Sequence, residues 1–317
     1  MSAFGPVPSR RLGYSLGVNH IPPKHCPYSC VYCQVGRTNR LEITQREFFP
    51  VEEILQAVEG KINESAKVNQ SIDYLTLVPD GEPTLDLNLT NIIQGLKKFR
   101  IPIAVISNAA LIDRQGVQDS LLQADWVSLK VDTVIETEWR RINRPHRQLS
   151  LESILNGILG FRSRYQGELV TETMLIADIN DNPISTQTLV SYLLELQPFK
   201  SYLSIPIRPP AEAWVKVPDA HALKKIFQTF SKDIAFADLL FDAEESEFVS
   251  TGNVVDDILG ITAVHPIREE ALRRMLKRAD VKWLAVEELV RLNKVICLEY
   301  RGERFYLQSS SSNRSIE

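Results

Sequence analysis

The sequence predicts an α/β fold, a partial (β/α)6 barrel of the TIM type, followed by a small winged-helix-like domain. Six short apolar runs are separated by amphipathic helical patterns, which is typical of parallel strands joined by helical crossovers. Six units are too few for a closed eight-stranded barrel. Three helical patterns and a hairpin pattern follow an acidic segment near the end of the chain.

The predicted barrel takes up residues 1–240. Its strands are rich in aliphatic and β-branched residues, and they cover residues 16–21, 74–78, 103–107, 126–132, 169–175 and 202–207. Periodicity near 3.6 residues predicts helices over 52–65, 88–99, 113–122, 151–164 and 188–196. A further helix ends before Pro145, because proline cannot continue it.

The predicted C-terminal domain is separate from the barrel. Residues 241–250 form an acidic linker, and residues 251–308 carry three helical patterns and a hairpin with a glycine in its turn. Winged helices often bind nucleic acid, so the predicted roles of this domain are contact with an RNA or protein partner, or a structural one. Cys297 lies among apolar residues, which predicts a buried side chain. The Ser-rich tail at 309–317 is predicted to be disordered.

Composition excludes several classes of protein. The chain has 317 residues, 44% hydrophobic residues and a net charge of −4, so no global basic field recruits nucleic acid. No apolar run reaches the length that spans a membrane, and the N-terminus lacks a signal-peptide pattern. We therefore expect a cytoplasmic protein with no membrane partner. Three of the four cysteines cluster, which indicates metal ligation rather than a disulfide framework.

The cysteine cluster is Cys26, Cys30 and Cys33, with C-x3-C-x2-C spacing directly after the first predicted strand. Three thiolates on one loop can hold three irons of a cubane cluster and leave the fourth iron open to a small molecule. A zinc site with His20 or His25 as fourth ligand is the alternative.

Polar residues follow the next three predicted strands. The turn Asp80-Gly-Glu-Pro83 comes after the second strand, and Asn108 ends the third. Ser128, Lys130 and Asp132 alternate with apolar residues, so they share one face of the fourth strand. In a buried parallel strand these positions are usually apolar. The pattern therefore indicates a ligand site at the carboxyl ends of the strands, or an internal salt bridge.

Basic residues supply candidates for a substrate site. Arg144 and His146 follow a helix, and Arg208 follows the sixth strand. Arg10 and Arg11 lie in the N-terminal segment, which either packs on the barrel as an arm or forms a cationic edge that meets a substrate anion. A planar guanidinium suits a bidentate anion. For Arg144 and His146, a solvated helix end is the alternative interpretation.

The cysteine spacing and the Gly-Glu-Pro turn, in this order and at these places, resemble the radical S-adenosylmethionine (radical SAM) superfamily over roughly the first 210 residues. The resemblance implies one [4Fe–4S] cluster on the three cysteines and S-adenosylmethionine (SAM) at the open iron. It implies an external reductant such as flavodoxin or ferredoxin. By the same resemblance, SAM is held by Tyr32, Gly81, Glu82, Pro83, Asn108, Ser128 and Lys130. Asp132, Arg144, His146 and Arg208 are then the candidate catalytic residues on the substrate side.

Three further segments narrow the resemblance. The N-terminal motif from Phe4, the Ile142-Asn-Arg-Pro-His146 segment and Val264-His265-Pro266 resemble an uncharacterised prokaryotic group of radical SAM proteins that is related to the tRNA wyosine synthases. The wyosine enzyme holds a second cluster on upstream cysteines, and this chain has none before Cys26. We therefore expect reductive cleavage of SAM to a 5′-deoxyadenosyl radical that attacks RNA, a peptide or a metabolite. The alternative is a zinc-binding regulatory module whose winged helix reads nucleic acid.

Overall fold

The computed structural model describes residues 2–234, 237–240, 248, 250, 251 and 253–309. Strands and helices alternate through most of these residues. The strands are β1 (Ala3–Ser9), β2 (Gly13–Val18), β3 (His25–Cys26), β4 (Arg40–Leu41), β5 (Tyr74–Leu77), β6 (Ile103–Ser107), β7 (Trp126–Lys130), β8 (Glu168–Met174), β9 (Lys200–Ser204), β10 (Ala237–Leu240), β11 (Ile267–Arg268), β12 (Val295–Tyr300) and β13 (Glu303–Gln308). The helices are α1 (Val51–Lys67), α2 (Leu89–Leu96), α3 (Gln115–Leu121), α4 (Glu136–Asn143), α5 (Leu151–Arg164), α6 (Pro183–Leu196), α7 (Ala220–Asp233), α8 (Val254–Val264), α9 (Glu269–Arg278) and α10 (Leu284–Arg291).

The main sheet has the strand order β1-β2-β5-β6-β7-β8-β9-β10. All neighbours in it are parallel except β1, which pairs antiparallel with β2. The six predicted parallel strands are all present. The sequence analysis did not predict β10, which adds a seventh parallel strand, and it described the segment that forms β1 as an arm. Both missed strands lie at the edges of this sheet.

The two faces of the sheet differ in chemistry. The helices pack on one face through aliphatic side chains such as Ile54 and Val58 of α1, and this core is continuous from β2 to α7. The opposite face carries a smaller cluster that includes Trp126 and Tyr202. Buried hydroxyls accompany this cluster, since Ser15 and Thr76 lie 2.5 Å apart through their oxygens. The side of the sheet away from the helices can therefore accommodate polar groups.

The C-terminal residues form a second cluster of elements. Here α8, α9 and α10 pack beside a sheet of order β11-β13-β12. Asp257 of α8, which is buried, accepts a hydrogen bond from Lys61 of α1 at 2.8 Å. Tyr300 donates to the carbonyl of Pro206 at 2.9 Å. These contacts fix the C-terminal elements against the main sheet.

The prediction that Cys297 is buried is wrong, because the side chain is exposed. Its strand, β12, lies at the edge of the three-stranded sheet, and every second residue of the strand faces away from the core. The predicted acidic linker and terminal tail lie mostly outside the described residues. No helix in the described ranges is both long enough and apolar enough to span a membrane.

Candidate active site

A cavity of about 400 Å³ opens at the carboxyl ends of the parallel strands. Residues that follow β5, β6 and β9 line it, and so do Lys130 at the end of β7 and Arg10 and Arg11 from the turn between β1 and β2. All three clustered cysteines line the same cavity. In α/β folds this edge of the sheet is where loops from several strands can combine into one site.

The cysteine loop is held in place by backbone hydrogen bonds to the end of α4. Val31 donates to the carbonyl of Ile142 at 2.9 Å, and Ser29 donates to that of Asn143 at 3.0 Å. His146 donates through its backbone to Pro27 at 2.8 Å. The segment after α4 therefore shapes the loop, and the three thiols remain free of disulfides.

The donor set fits an iron–sulfur cluster. Burial raises the pKa of all three thiols, that of Cys30 to about 12, and nearby negative charge adds to the shift: Cys30 acts on Cys26, Asp132 on Cys30 and Asp80 on Cys33. Three buried thiolates need a nearby cation to compensate their charge. A bound metal supplies this charge, and its binding releases the thiol protons. The cysteines would hold three irons of a [4Fe–4S] cluster and leave the fourth facing the cavity.

The two histidines of the zinc alternative have other partners. His20 is fully buried and contacts the carbonyl of Pro83, and burial lowers its pKa to about 4. His25 pairs with Glu42 and with Arg46 through the same ring nitrogen. Neither ring lines the cavity. Within the described residues, no three His, Cys, Asp or Glu side chains converge on one metal ion, as a zinc site requires, whereas in a cubane cluster each cysteine binds a separate iron.

The Gly-Glu turn packs directly under the cysteine loop. A Cβ on Gly81 would lie 2.5 Å from the carbonyl oxygen of His25, so the close approach requires glycine. Glu82 lines the cavity but is itself 2% exposed, and it accepts hydrogen bonds from Thr84, from the Ser107 hydroxyl at 2.7 Å and from the backbone N–H of Asn108 at 2.8 Å. The carboxylate therefore joins the ends of β5 and β6. Its neighbour Pro83 does not line the cavity.

Lys24 and Asp80 form a buried ion pair on the cavity wall. They are 3% and 7% exposed, and Lys24 Nζ lies 3.7 Å from Asp80 Oδ1, which is too far for a hydrogen bond. Neither of these two atoms has a hydrogen-bond partner. Burial raises the pKa of Asp80 to about 6 although Lys24 opposes the shift. Two unsatisfied opposite charges facing a cavity indicate a polar ligand.

Asp132 is saturated with hydrogen bonds. It is 4% exposed and accepts from the Tyr32 hydroxyl at 2.5 Å, from Asn143 at 2.7 Å and from the backbone of Met174 at 2.9 Å. Lys130 Nζ lies 3.3 Å from Asp132 Oδ1, the oxygen that also accepts from Met174, and 5.0 Å from the Tyr32 ring centroid. Tyr32 and Lys130 line the cavity, whereas Asp132 lies behind them. Its hydrogen bonds therefore fix the positions of Tyr32 and Asn143.

Glu172 connects two cations of the cavity wall. Lys130 lies 3.3 Å from one carboxylate oxygen, and Arg11 pairs with the other. Burial alone would raise the pKa of Glu172, but the two cations outweigh burial and hold the pKa at about 2. The depressed pKa means that this ionised carboxylate stabilises the folded protein at neutral pH.

We expect Glu172→Gln to lower the free energy of unfolding by about 3 kcal/mol at pH 7, which is the worth of a pKa shift of this size. The stabilisation by Glu172 is complete above the ordinary pKa of 4.5 and is lost as the pH falls towards about 2. Urea unfolding between pH 7 and pH 3 should therefore show a difference that shrinks with acidity. A difference that stays constant with pH would contradict the assignment. Glu288→Gln, at an exposed ion pair, is the control.

The remaining predicted residues divide into two groups. Gly81, Asn108 and Arg208 line the cavity; Arg208 donates to Gln34 at 3.1 Å and contacts His265 Nε2 at 2.9 Å. Ser128 is buried inside the sheet, and Arg144 and His146 do not line the cavity. Arg144 instead binds Glu212 at 2.5 Å.

Four contributors were missed by sequence reasoning: Lys24, Asn143, Glu172 and His265. Glu172 carried a signal, because a carboxylate inside a predicted buried strand needs a partner. Lys24 lies two residues before the first cysteine, just outside the cysteine cluster. Asn143 and His265 lie in segments quoted for the resemblance, but no residue pattern assigned them a contact.

The comparisons with known proteins agree with this geometry. The model of the radical SAM superfamily matches residues 21–186, more than half of the chain. The chain belongs to the radical SAM superfamily. It is therefore an enzyme of a superfamily that uses a [4Fe–4S] cluster and SAM, and that needs a reductant. The 166-residue match includes the cysteine loop, the Gly-Glu turn and Asp132.

Relatives extend the similarity over the whole chain. The UPF0026 protein MJ1312 of Methanocaldococcus jannaschii is 47% identical over 315 residues, with 98% of this chain and 97% of that protein covered. A UPF0026 protein of Helicobacter pylori is 29% identical, with 94% and 96% covered. The similarity to these relatives therefore extends beyond residue 186, where the match to the superfamily model ends, into the C-terminal part of the chain.

Solved structures support the fold. A radical SAM methyltransferase from Sphaerobacter thermophilus has a TM-score of 0.55 and 14% identity, and the match covers 72% of this chain and 66% of that one. Streptococcus suis SuiB bound to S-adenosylmethionine has a TM-score of 0.52 and 12% identity, with 70% and 49% covered. At these identities the likeness is one of fold.

Proposed function

We propose that the protein cleaves SAM reductively with a single [4Fe–4S] cluster held by Cys26, Cys30 and Cys33, and that the resulting radical attacks a substrate in the same cavity. The observation that carries the proposal is the meeting of three free thiols and the unsatisfied Lys24–Asp80 pair on one cavity wall. When bound, the cluster supplies the electron that breaks the sulfonium bond of SAM and gives the 5′-deoxyadenosyl radical.

The chain's own residues bind and orient SAM. Asp80 is the acceptor for the ammonium group of the methionine end, and Lys24 is the donor for its carboxylate. This assignment satisfies both buried charges, which have no hydrogen bond of their own. Tyr32 and Asn108 line the cavity beside the cysteine loop, where an aromatic face and an amide can contact the nucleoside.

We assign the substrate side to the part of the cavity that carries its arginine side chains. Arg10, Arg11 and Arg208 line this part of the cavity, together with His265 from the end of α8. Arg208 remains our candidate for substrate contact. Arg144 and His146 act instead on the shape of the cysteine loop, because their contacts are to Glu212 and to the loop backbone.

The main sheet corresponds to a partial (β/α)6 barrel with one added parallel strand, and residues 251–308 correspond to a winged-helix-like domain. The element order helix, strand, helix, helix, hairpin supports the second assignment.

Arg273 and Arg274 of α9 pair with Glu269 and Glu270, which weakens a basic nucleic-acid surface. Val264 accepts a hydrogen bond from Gln34 at 3.0 Å, so this domain helps to form the active-site wall.

Anaerobic purification tests the function. The expected result is brown protein with about four irons per chain that forms 5′-deoxyadenosine when dithionite and SAM are added. Colourless protein that binds one zinc tightly would refute it.

Flavodoxin or ferredoxin in place of dithionite identifies the class of electron donor. An RNA, a peptide mixture and a metabolite extract, each added separately, then indicate which substrate class accelerates SAM consumption.

A further inference from the structure

Two asparagine amides donate hydrogen bonds to two of the three cysteine sulfurs. Asn143 Nδ2 lies 3.4 Å from Cys30 Sγ, and Asn108 Nδ2 lies 3.2 Å from Cys26 Sγ. The two asparagines come from different parts of the fold, since Asn143 ends α4 and Asn108 follows β6. Cys26 and Cys30 therefore each have a neutral side-chain donor of their own.

The orientation of the Asn143 amide is determined by its surroundings. One N–H points to Asp132 Oδ2 at 2.7 Å and the other points to Cys30. The opposite orientation would place the amide oxygen against a carboxylate and a sulfur, both of which are acceptors. Asn143 is 3% exposed and Asp132 is 4% exposed, so water does not compete for these contacts.

The Asn108 amide is held equally firmly. Its backbone N–H donates to Glu82 at 2.8 Å, and its side-chain oxygen accepts from the backbone of Ala110 at 2.9 Å. The Nδ2 group is thereby directed at Cys26. Both donors are in place without any contribution from SAM or substrate.

We propose that Asn143 and Asn108 set the reduction potential of the cluster, and that Asp132 is the positioning residue that directs Asn143. This inference rests on the proposed function, because it requires the cluster. A hydrogen bond to a ligand thiolate withdraws electron density from the sulfur and stabilises the more negative, reduced state. Losing the bond makes one-electron reduction harder, so the potential falls.

The test is an EPR-monitored redox titration of the cluster-loaded protein without SAM. Asn143→Ala should lower the equilibrium constant for one-electron reduction by about tenfold, which corresponds to a potential about 59 mV more negative. Asn108→Ala should shift it in the same direction, independently, since the two amides share no partner. It also serves as the second variant if Asn143→Ala does not fold.

Asn180→Ala is the matched control. Asn180 is also buried, and its amide donates to the carbonyls of Asp132 and Met174 at 2.8 and 2.9 Å, but it contacts no cysteine. Its loss disturbs the same region without removing a donor to sulfur. An unchanged potential in Asn180→Ala with a lowered one in the other two variants supports the proposal. Unchanged potentials in Asn143→Ala and Asn108→Ala, or an equal shift in all three variants, would overturn it.

The iron content of the wild-type protein separates this inference from the proposed function. A wild-type protein that assembles no cluster refutes the function and the inference together. A wild-type protein with a cluster whose potential does not respond to Asn143 or Asn108 refutes only the inference. Activity need not be measured in either case.

Discussion

Replacing Cys30 with alanine abolishes 5′-deoxyadenosine formation, and the purified protein loses its brown colour. Cys30 is one of three thiols on a single loop, and no other cysteine in the 317 residues lies near enough in sequence to replace it on that loop. Changes to residues that only support metal ligands cost 10–100-fold in affinity or activity, so loss of a ligand itself should exceed about 100-fold. Iron analysis and chromatographic detection of 5′-deoxyadenosine measure the two effects.

Cys297→Ala is the matched control for this prediction. Cys297 is exposed in β12 and does not line the cavity. Its removal should leave iron content and 5′-deoxyadenosine formation at wild-type levels. If Cys297→Ala lost the cluster, or if Cys30→Ala kept it, the ligand assignment would be wrong.

The order of strands could be predicted from the sequence because each parallel strand is a short apolar run bounded by turn residues. The edge strand β10 escaped this logic, since Asp238 interrupts its short apolar run and only Leu240 of its four residues is buried. β1 was interpreted as an arm because Gly5, Pro6 and Pro8 interrupt its apolar pattern. Proline is tolerated in edge strands, where an N–H can face outwards. Edge strands therefore carry a weaker signal than central ones.

The candidate site was predictable where chemistry depends on close spacing in sequence. The three cysteines and Gly81-Glu82 are such sets, and the structure places both on one cavity. Contacts between distant segments were not predictable. Asn143 meets Cys30 across 113 positions, and Glu172 meets Arg11 across 161. Ser128 shares a strand face with Lys130, but it is fully buried and does not line the cavity, whereas Lys130 does. The alternation of polar and apolar residues predicts a shared face but not which side chain reaches the cavity.

Substitutions in the buried Lys24–Asp80 pair should have the second large effect, on both the free energy of unfolding and the affinity for SAM. Lys24→Met leaves Asp80 as an uncompensated buried carboxylate and should lower the free energy of unfolding by about 3–5 kcal/mol. The double variant Lys24→Met/Asp80→Asn contains neither charge, so much of that stability should return. Urea unfolding at pH 7 measures both. Lys98→Met, at an exposed pair with Glu59, should change little.

SAM affinity should not return with stability. If Lys24 and Asp80 bind the charged methionine end, the double variant lacks both charge-assisted hydrogen bonds, each worth about 1.5–3 kcal/mol, or roughly 10–100-fold in affinity. Isothermal titration of the cluster-loaded, anaerobic protein should therefore show a stable double variant that binds SAM at least about tenfold more weakly than wild type. Wild-type affinity in that variant would exclude the pair from the SAM site. Stability that returns without SAM affinity therefore assigns the two charges to the ligand. An ion pair that served only the fold would leave the affinity for SAM at the wild-type level once stability had returned.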